Sequence, residues 1–163
     1  MILDKIVAAT RRELEQMKRA LPLEELKTQA KRQAPPRDLA SALRGEGIRL
    51  IAEVKKASPS RGVIRADFDP VQIAWTYAQN GAMAISILTE TSYFQGSLNH
   101  LKDVKETLGD RCPPLLRKDF IFDPYQVYQS RACGADSLLL IAAILTPEKL
   151  KALLVLSHEL GMS

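Results

Sequence analysis

Glu53 and Lys55 stand two residues apart at the end of an apolar run, so on an extended chain both side chains project to the same face. An ordinary parallel strand is apolar throughout. Two opposite charges there are costly unless they pair at the rim of the sheet or take part in chemistry. Residues 115–128, LLRKDFIFDPYQVY, repeat the arrangement, with Lys118 and Phe120 sharing one face of a strand end. A lysine beside an aromatic wall and partly withdrawn from water is a proton donor of lowered pKa, and its charge polarises a carbonyl oxygen. A neighbouring glutamate would pull that pKa back up. The plainer alternative is a surface lysine at a strand end. Arg117 and Asp119 alternate to the other side, where they anchor the strand to surrounding helices. Residues 86–97, SILTETSYFQGS, present Tyr93 and Phe94 just before Gly96, and either ring can stack on a flat substrate or plug the loop. Neither His100 nor His158 belongs to a cluster of ligand-type residues or has a cysteine beside it, so no metal site and no Cys-His catalysis is indicated.

Strand ends of this kind need a framework, and the chain supplies one. Strand-like runs at 49–54, 83–88, 114–118 and 137–141 alternate with helix-like stretches, the pattern of βα units in a parallel sheet. Asp69-Pro70, Asp123-Pro124 and Thr146-Pro147 each place an N-cap side chain before a proline at the first helical position. Gly81-Ala82 and Gly134-Ala135 mark helix ends, and starts and stops recur 53 to 54 residues apart, a repeat two βα units long. Upstream, Leu3, Ile6, Val7, Leu14, Met17 and Leu21 form the apolar stripe of an amphipathic helix. Pro35 and Pro36 break it, and a short helix capped by Asp38 runs to Arg44 and stops at Gly45. The expected division is a helical extension over 1–47 and an α/β unit over 48–163. Four βα units make an open doubly wound sheet or one half of a closed (βα)8 barrel. Residues 55–70, KKASPSRGVIRADFDP, contain neither GxGxxG nor GxxxxGK[ST], which removes the main support for nucleotide binding.

Composition narrows the function classes. Of 163 residues, 23 are Lys or Arg and 19 Asp or Glu, and the net charge of +4 lies entirely within the first 49 residues. That segment interleaves its basic residues with Glu13, Glu15, Glu24 and Glu25 and holds no aromatic residue, unlike a nucleic-acid-binding stripe. The longest apolar run, 138–145, has 8 residues, far short of the ~20 that span a membrane. Cys112 and Cys133 are isolated thiols, which fits a reducing, cytoplasmic setting. Lys55, Lys56, Arg61 and Arg65, with no acid between them, either meet a small anion or form a solvated loop.

The segments IAEVKKASPSRG (51–62), SILTETSYFQGS, LLRKDFIFDPYQVY and GADSLLLIAAILTPE (134–148) resemble the indole-3-glycerol phosphate synthase family, (βα)8-barrel lyases of tryptophan biosynthesis. The resemblance covers essentially the whole chain. It implies conversion of 1-(2-carboxyphenylamino)-1-deoxyribulose 5-phosphate, a small anionic anthranilate-bearing sugar phosphate, into indole-3-glycerol phosphate by ring closure, decarboxylation and dehydration, without metal or organic cofactor. It further implies that Lys118 is the general acid on the substrate carbonyl, Glu53 a catalytic carboxylate, and Lys55 a contact to anionic groups that acts in dehydration. Ser58, Phe94, Phe120 and Leu139 resemble substrate contacts, and the loop 56–67 resembles a mobile cover. The strand-five glutamate and the phosphate loops of the family lie beyond Ser163, so the expectation is a first half-barrel of four βα units, inactive or strongly impaired alone. Its sheet edges would be covered by a C-terminal half-barrel or by self-association. The competing readings are a non-catalytic assembly module and another phosphosugar barrel, such as phosphoribosylanthranilate isomerase.

Overall fold

Residues Ala84–Leu88 read Ala-Ile-Ser-Ile-Leu, and in a computed structural model describing residues 1–163 they form a strand buried along its whole length. A strand buried on both faces belongs inside a parallel sheet. Counted along the chain, the strands are β1 (Ile51–Val54), β2 (Ala57–Ser58), β3 (Gly62–Val63), β4 (Ala84–Leu88), β5 (Leu115–Lys118) and β6 (Ser137–Leu138). The main sheet is parallel throughout in the order β1-β4-β5-β6, while β2 and β3 form a separate antiparallel hairpin. The helices are α1 (Ile2–Ala20), α2 (Leu23–Arg32), α3 (Leu39–Ala42), α4 (Pro70–Gln79), α5 (Leu98–Leu108), α6 (Pro124–Ala132) and α7 (Pro147–Glu159). No helix is long and apolar enough to cross a membrane.

Local chemistry explains the helix boundaries. Asp69, Asp123 and Thr146 accept hydrogen bonds from the backbone N–H groups of Gln72, Tyr125 and Lys149, each followed by proline in the first turn. Gly81 and Gly134 follow the ends of α4 and α6 with φ of +86° and +87°, a conformation that L side chains resist. The strands sort their side chains into two faces. Ala52, Val54, Ile85, Ile87 and Leu115 join Leu101, Val104, Leu108 and Val127 in the core beneath the helices. The alternate positions, including Glu53, Ser86, Leu88 and Lys118, turn to the opposite face.

Three features depart from the sequence expectations. The loop after β1 contains the β2–β3 hairpin, joined by Ile64 and Arg65 N–H groups donating to the Lys56 carbonyl. The extension holds an additional helix, α2, which buries Leu26 and Ala30. The fourth strand of the main sheet, expected over 137–141, pairs only at Ser137–Leu138 and gives way to a 3-10 turn at Ala142–Ile144. The outer edge of β6 meets only Ser163. The Ser163 N–H donates to the Asp136 carbonyl and its carbonyl accepts from Leu138, both at 3.2 Å. At the other edge, Ile48, Leu50 and Ile51 are exposed.

The extension packs on α6 through Leu14, Leu26, Phe122 and Tyr125. The Tyr125 hydroxyl shares its one proton between the carbonyls of Met17 and Leu21, 3.1 and 2.9 Å away at the end of α1. Lys18 pairs with Asp123 at 2.8 Å, the residue that caps α6. On the opposite end of the sheet the fully buried Asp136 binds Lys105, the Arg37 N–H and the Leu115 N–H, tying the end of the extension to β5. Tyr125→Phe removes the hydroxyl while keeping the ring, and is expected to cost about 1 kcal/mol, read as a lowered urea midpoint. An unchanged midpoint would show that docking of α1 draws nothing from these bonds.

Candidate active site

The carboxyl ends of β1, β4 and β5 bring the charged strand positions together. Glu53 Oε1 accepts from Lys55 Nζ at 2.5 Å and Oε2 from Lys118 Nζ at 3.0 Å, so one carboxylate bridges two ammonium groups. The contact between Glu53 and Lys118 crosses β4, which lies between their strands. Ser86, the residue paired with Glu53 on β4, has a side chain short enough to leave the crossing open. Burial pushes the Glu53 carboxyl upward, but the hydrogen bonds and charges of Lys55 and Lys118 outweigh it and the net shift is downward.

That depression links Glu53 to stability in acid. A carboxyl whose folded pKa lies below its unfolded value, about 4.3 for glutamate, stabilises the fold above that pH and loses the contribution as pH falls through the folded value. Glu53→Gln is therefore expected to be less stable than the parent at pH 6, with the gap closing below about pH 4. Urea midpoints at the two pH values measure it, and a gap independent of pH would contradict the pairing.

Around this triad lies a cavity of about 210 Å³ lined by Leu88, Phe94, Phe120, Leu139 and Ile141 beside Glu53, Lys55, Lys118 and Asp119. It is smaller than the roughly 300–1,000 Å³ of most small-molecule clefts, a size suited to the ring end of a larger ligand. The Phe94 and Phe120 rings face each other at 6.2 Å. Ser58 does not join this group: it lies on β2 with its hydroxyl 3.5 Å from that of Ser60, outside the cavity lining. Tyr93 is likewise not among the lining residues, which leaves Phe94 as the aromatic of that loop facing the site. Ile141 is a wall residue that sequence reasoning did not single out, although it stands two residues from Leu139, a spacing that puts both on one face of an extended chain. No group of three or more His, Cys, Asp or Glu side chains converges as a metal site would require.

Behind the cavity, Arg117 turns to the helix-facing side, as alternation along β5 requires. It donates to Asp119, Thr89, the Gln126 carbonyl, Gln129 and Ser130, and both it and Asp119 are buried. Lys118 and Phe120 face the cavity, and Asp119, expected on the other side with Arg117, also reaches its lining because it lies past the end of β5, where strict alternation ends.

The family model of indole-3-glycerol phosphate synthase matches residues 3–163. The chain belongs to the indole-3-glycerol phosphate synthase family. Curated proteins named indole-3-glycerol phosphate synthase include one from Dehalococcoides mccartyi that is 57% identical over 163 residues, covering 99% of this chain and 63% of the relative. One from a Roseiflexus species is 53% identical over 165 residues, covering 99% of this chain and 61% of its own length. One from Neisseria meningitidis is 47% identical over 166 residues, again with 99% of this chain and 63% of the relative covered. The chain thus spans a little over three fifths of the length of these synthases. The four parallel strands and their helices are the corresponding part of the family's (βα)8 barrel.

Proposed function

We propose that this chain contributes the acid, its carboxylate partner and the aromatic-binding wall of an indole-3-glycerol phosphate synthase. The observation that carries the reading is one ammonium group, Lys118 Nζ, held 3.0 Å from Glu53 at the mouth of a cavity walled by Phe94, Phe120 and Leu139. An anthranilate ring fits between apolar and aromatic side chains, and a carbonyl oxygen then comes within reach of the lysine. As the ring carbon bearing the carboxylate attacks the substrate carbonyl carbon, Lys118 donates a proton to the carbonyl oxygen and leaves a hydroxyl. Loss of CO₂ returns the C–C electron pair to the ring, and loss of that hydroxyl, protonated to water, together with a proton from the adjacent carbon bonded to nitrogen forms the indole double bond. Glu53 holds Lys118 in place and takes part as a carboxylate, while Lys55 meets the anionic groups and acts in dehydration. Ser58 contacts substrate only when the β2–β3 hairpin closes toward the cavity.

The exposed Ile48, Leu50 and Ile51 at the start of β1 and the sparsely paired outer edge of β6 are what further strands of a barrel would cover. Further strands, from polypeptide outside these residues or from a second copy, are the expected cover. In solution scattering, a well-folded monomer of this chain with both edges bare would refute that requirement. The function is tested by supplying the carboxyphenylamino-deoxyribulose phosphate and following indole fluorescence. The 163-residue chain alone is expected to be inactive or strongly impaired, and a protein of the relatives' length carrying these residues to turn over. Absence of indole product from the longer protein would sink the reading.

A further inference from the structure

Glu90 is 2% exposed, and its carboxylate is held by backbone rather than by a cation. Oε1 accepts from the Ser92 N–H at 3.1 Å, and Oε2 from those of Tyr93 and Phe94 at 2.8 and 2.9 Å. Successive N–H groups converging on one anion form a nest, a strong substitute for water around a buried charge. The Glu90 carbonyl also accepts from the Gly96 N–H at 2.7 Å, so the loop closes on Glu90 from both sides. The closure is tight enough to hold Gln95 at φ +50°, the one positive φ outside glycine in the chain. A Cβ on Gly96 would come within 2.4 Å of the Leu88 carbonyl oxygen. The same loop carries Phe94, whose carbonyl accepts from the Ala57 N–H of the hairpin at 3.2 Å.

We infer that Glu90 is a positioning residue, which sets the Phe94 ring against Phe120 and, through the Phe94 carbonyl, seats the β2–β3 hairpin beside the cavity. Glu90 is absent from the lining of the Lys118 cavity and lies instead with Glu13, Arg117 and Asp119 around a separate cavity of about 130 Å³ under α1. Burial pushes the Glu90 carboxyl upward, and the three N–H donors pull it back only in part. The consequence for ligand binding rests on the function proposed above, whereas the consequence for the loop does not.

The test is Glu90→Gln in the full chain, which keeps the shape but turns an NH₂ group against an N–H. Amide exchange at Tyr93, Phe94 and Ala57 is expected to quicken by about ten- to a hundredfold. Ile87 and Leu115 should exchange as before, and the ring contact between Phe94 and Phe120 should weaken in proton NMR. Unchanged exchange at Phe94 and Ala57 would overturn the inference, and so would an equal rise at every amide, which marks a merely structural role. Should the variant not fold, the unsubstituted chain decides: the Tyr93 and Phe94 amide shifts must follow the Glu90 carboxyl carbon through its titration, and independence overturns the assignment. In a protein of the relatives' length, the non-reactive alcohol made by reducing the substrate carbonyl is expected to bind at least severalfold more weakly to Glu90→Gln. No binding to the unsubstituted protein would overturn the proposed function, leaving the amide measurements to judge Glu90 alone.

Discussion

Replacing Lys118 with alanine, in a protein of the relatives' length, is expected to cut indole-3-glycerol phosphate formation by roughly 10²- to 10⁴-fold while substrate affinity changes only a few fold. The asymmetry follows from where the charge is needed. On the function proposed above, the carbonyl oxygen is neutral in the ground state, and the ring would rest on the apolar wall of Phe94, Phe120 and Leu139 without help from the lysine. As the new carbon-carbon bond forms, negative charge grows on that oxygen, and only then do the ammonium charge and its proton lower the energy. Lys118→Arg keeps the charge but gives a group that scarcely releases a proton near neutral pH, so it is expected to remain far below the parent. Steady-state kcat and KM for both variants measure this. A raised KM with normal kcat would reassign Lys118 to binding.

Arg117→Ala is expected to destabilise the fold by about 3–5 kcal/mol, a large share of the ~5–15 kcal/mol that holds a typical domain together. Arg117 and Asp119 are 3% and 5% exposed and joined at 2.8 Å, so removing the guanidinium strands a carboxylate among helices. Gln129 Oε1 and Ser130 Oγ lose the arginine as a donor in the same step, while the Gln126 carbonyl keeps the Ser130 hydroxyl at 2.7 Å. Replacing the pair together, Arg117→Met with Asp119→Leu, removes the stranded charge and is expected to recover part of the loss. Urea unfolding measures the three proteins, and a double variant no more stable than Arg117→Ala would show that Asp119 is not what the arginine satisfies. Because Lys118 and Phe120 alternate with these two, the network also holds the cavity-facing side of β5 in register.

Alternation and capping are local, and what depends on them could be read directly. Asp69, Asp123 and Thr146 cap helices wherever they stand, since an N-cap needs only its own next turn. Lys118 and Arg117 fall on opposite faces of β5 for the equally local reason that a strand has a period of two. Features that depend on neighbours were not legible in the same way. Residues 139–141 are as apolar as a strand requires, yet β6 stops at Leu138 and the chain turns into the 3-10 segment at Ala142–Ile144. The hairpin at Ala57–Ser58 and Gly62–Val63 draws Ser58 out of the cavity lining, and its seat on Phe94 joins segments distant in sequence.

By itself, then, the sequence determined the βα alternation, the helix starts and stops, which strand residues share a face, and the family resemblance carried by its four motifs. That Glu53 reaches past β4 to Lys118, 65 residues away, emerges from the folded sheet, whose strand order brings the two side chains to one face. Likewise, nothing in TETSYFQGS marks Glu90 as an anchor until the loop folds back and three N–H groups turn onto its carboxylate. A charge can remain buried without a cation only when the surrounding backbone is already arranged to receive it, and that arrangement belongs to the folded chain.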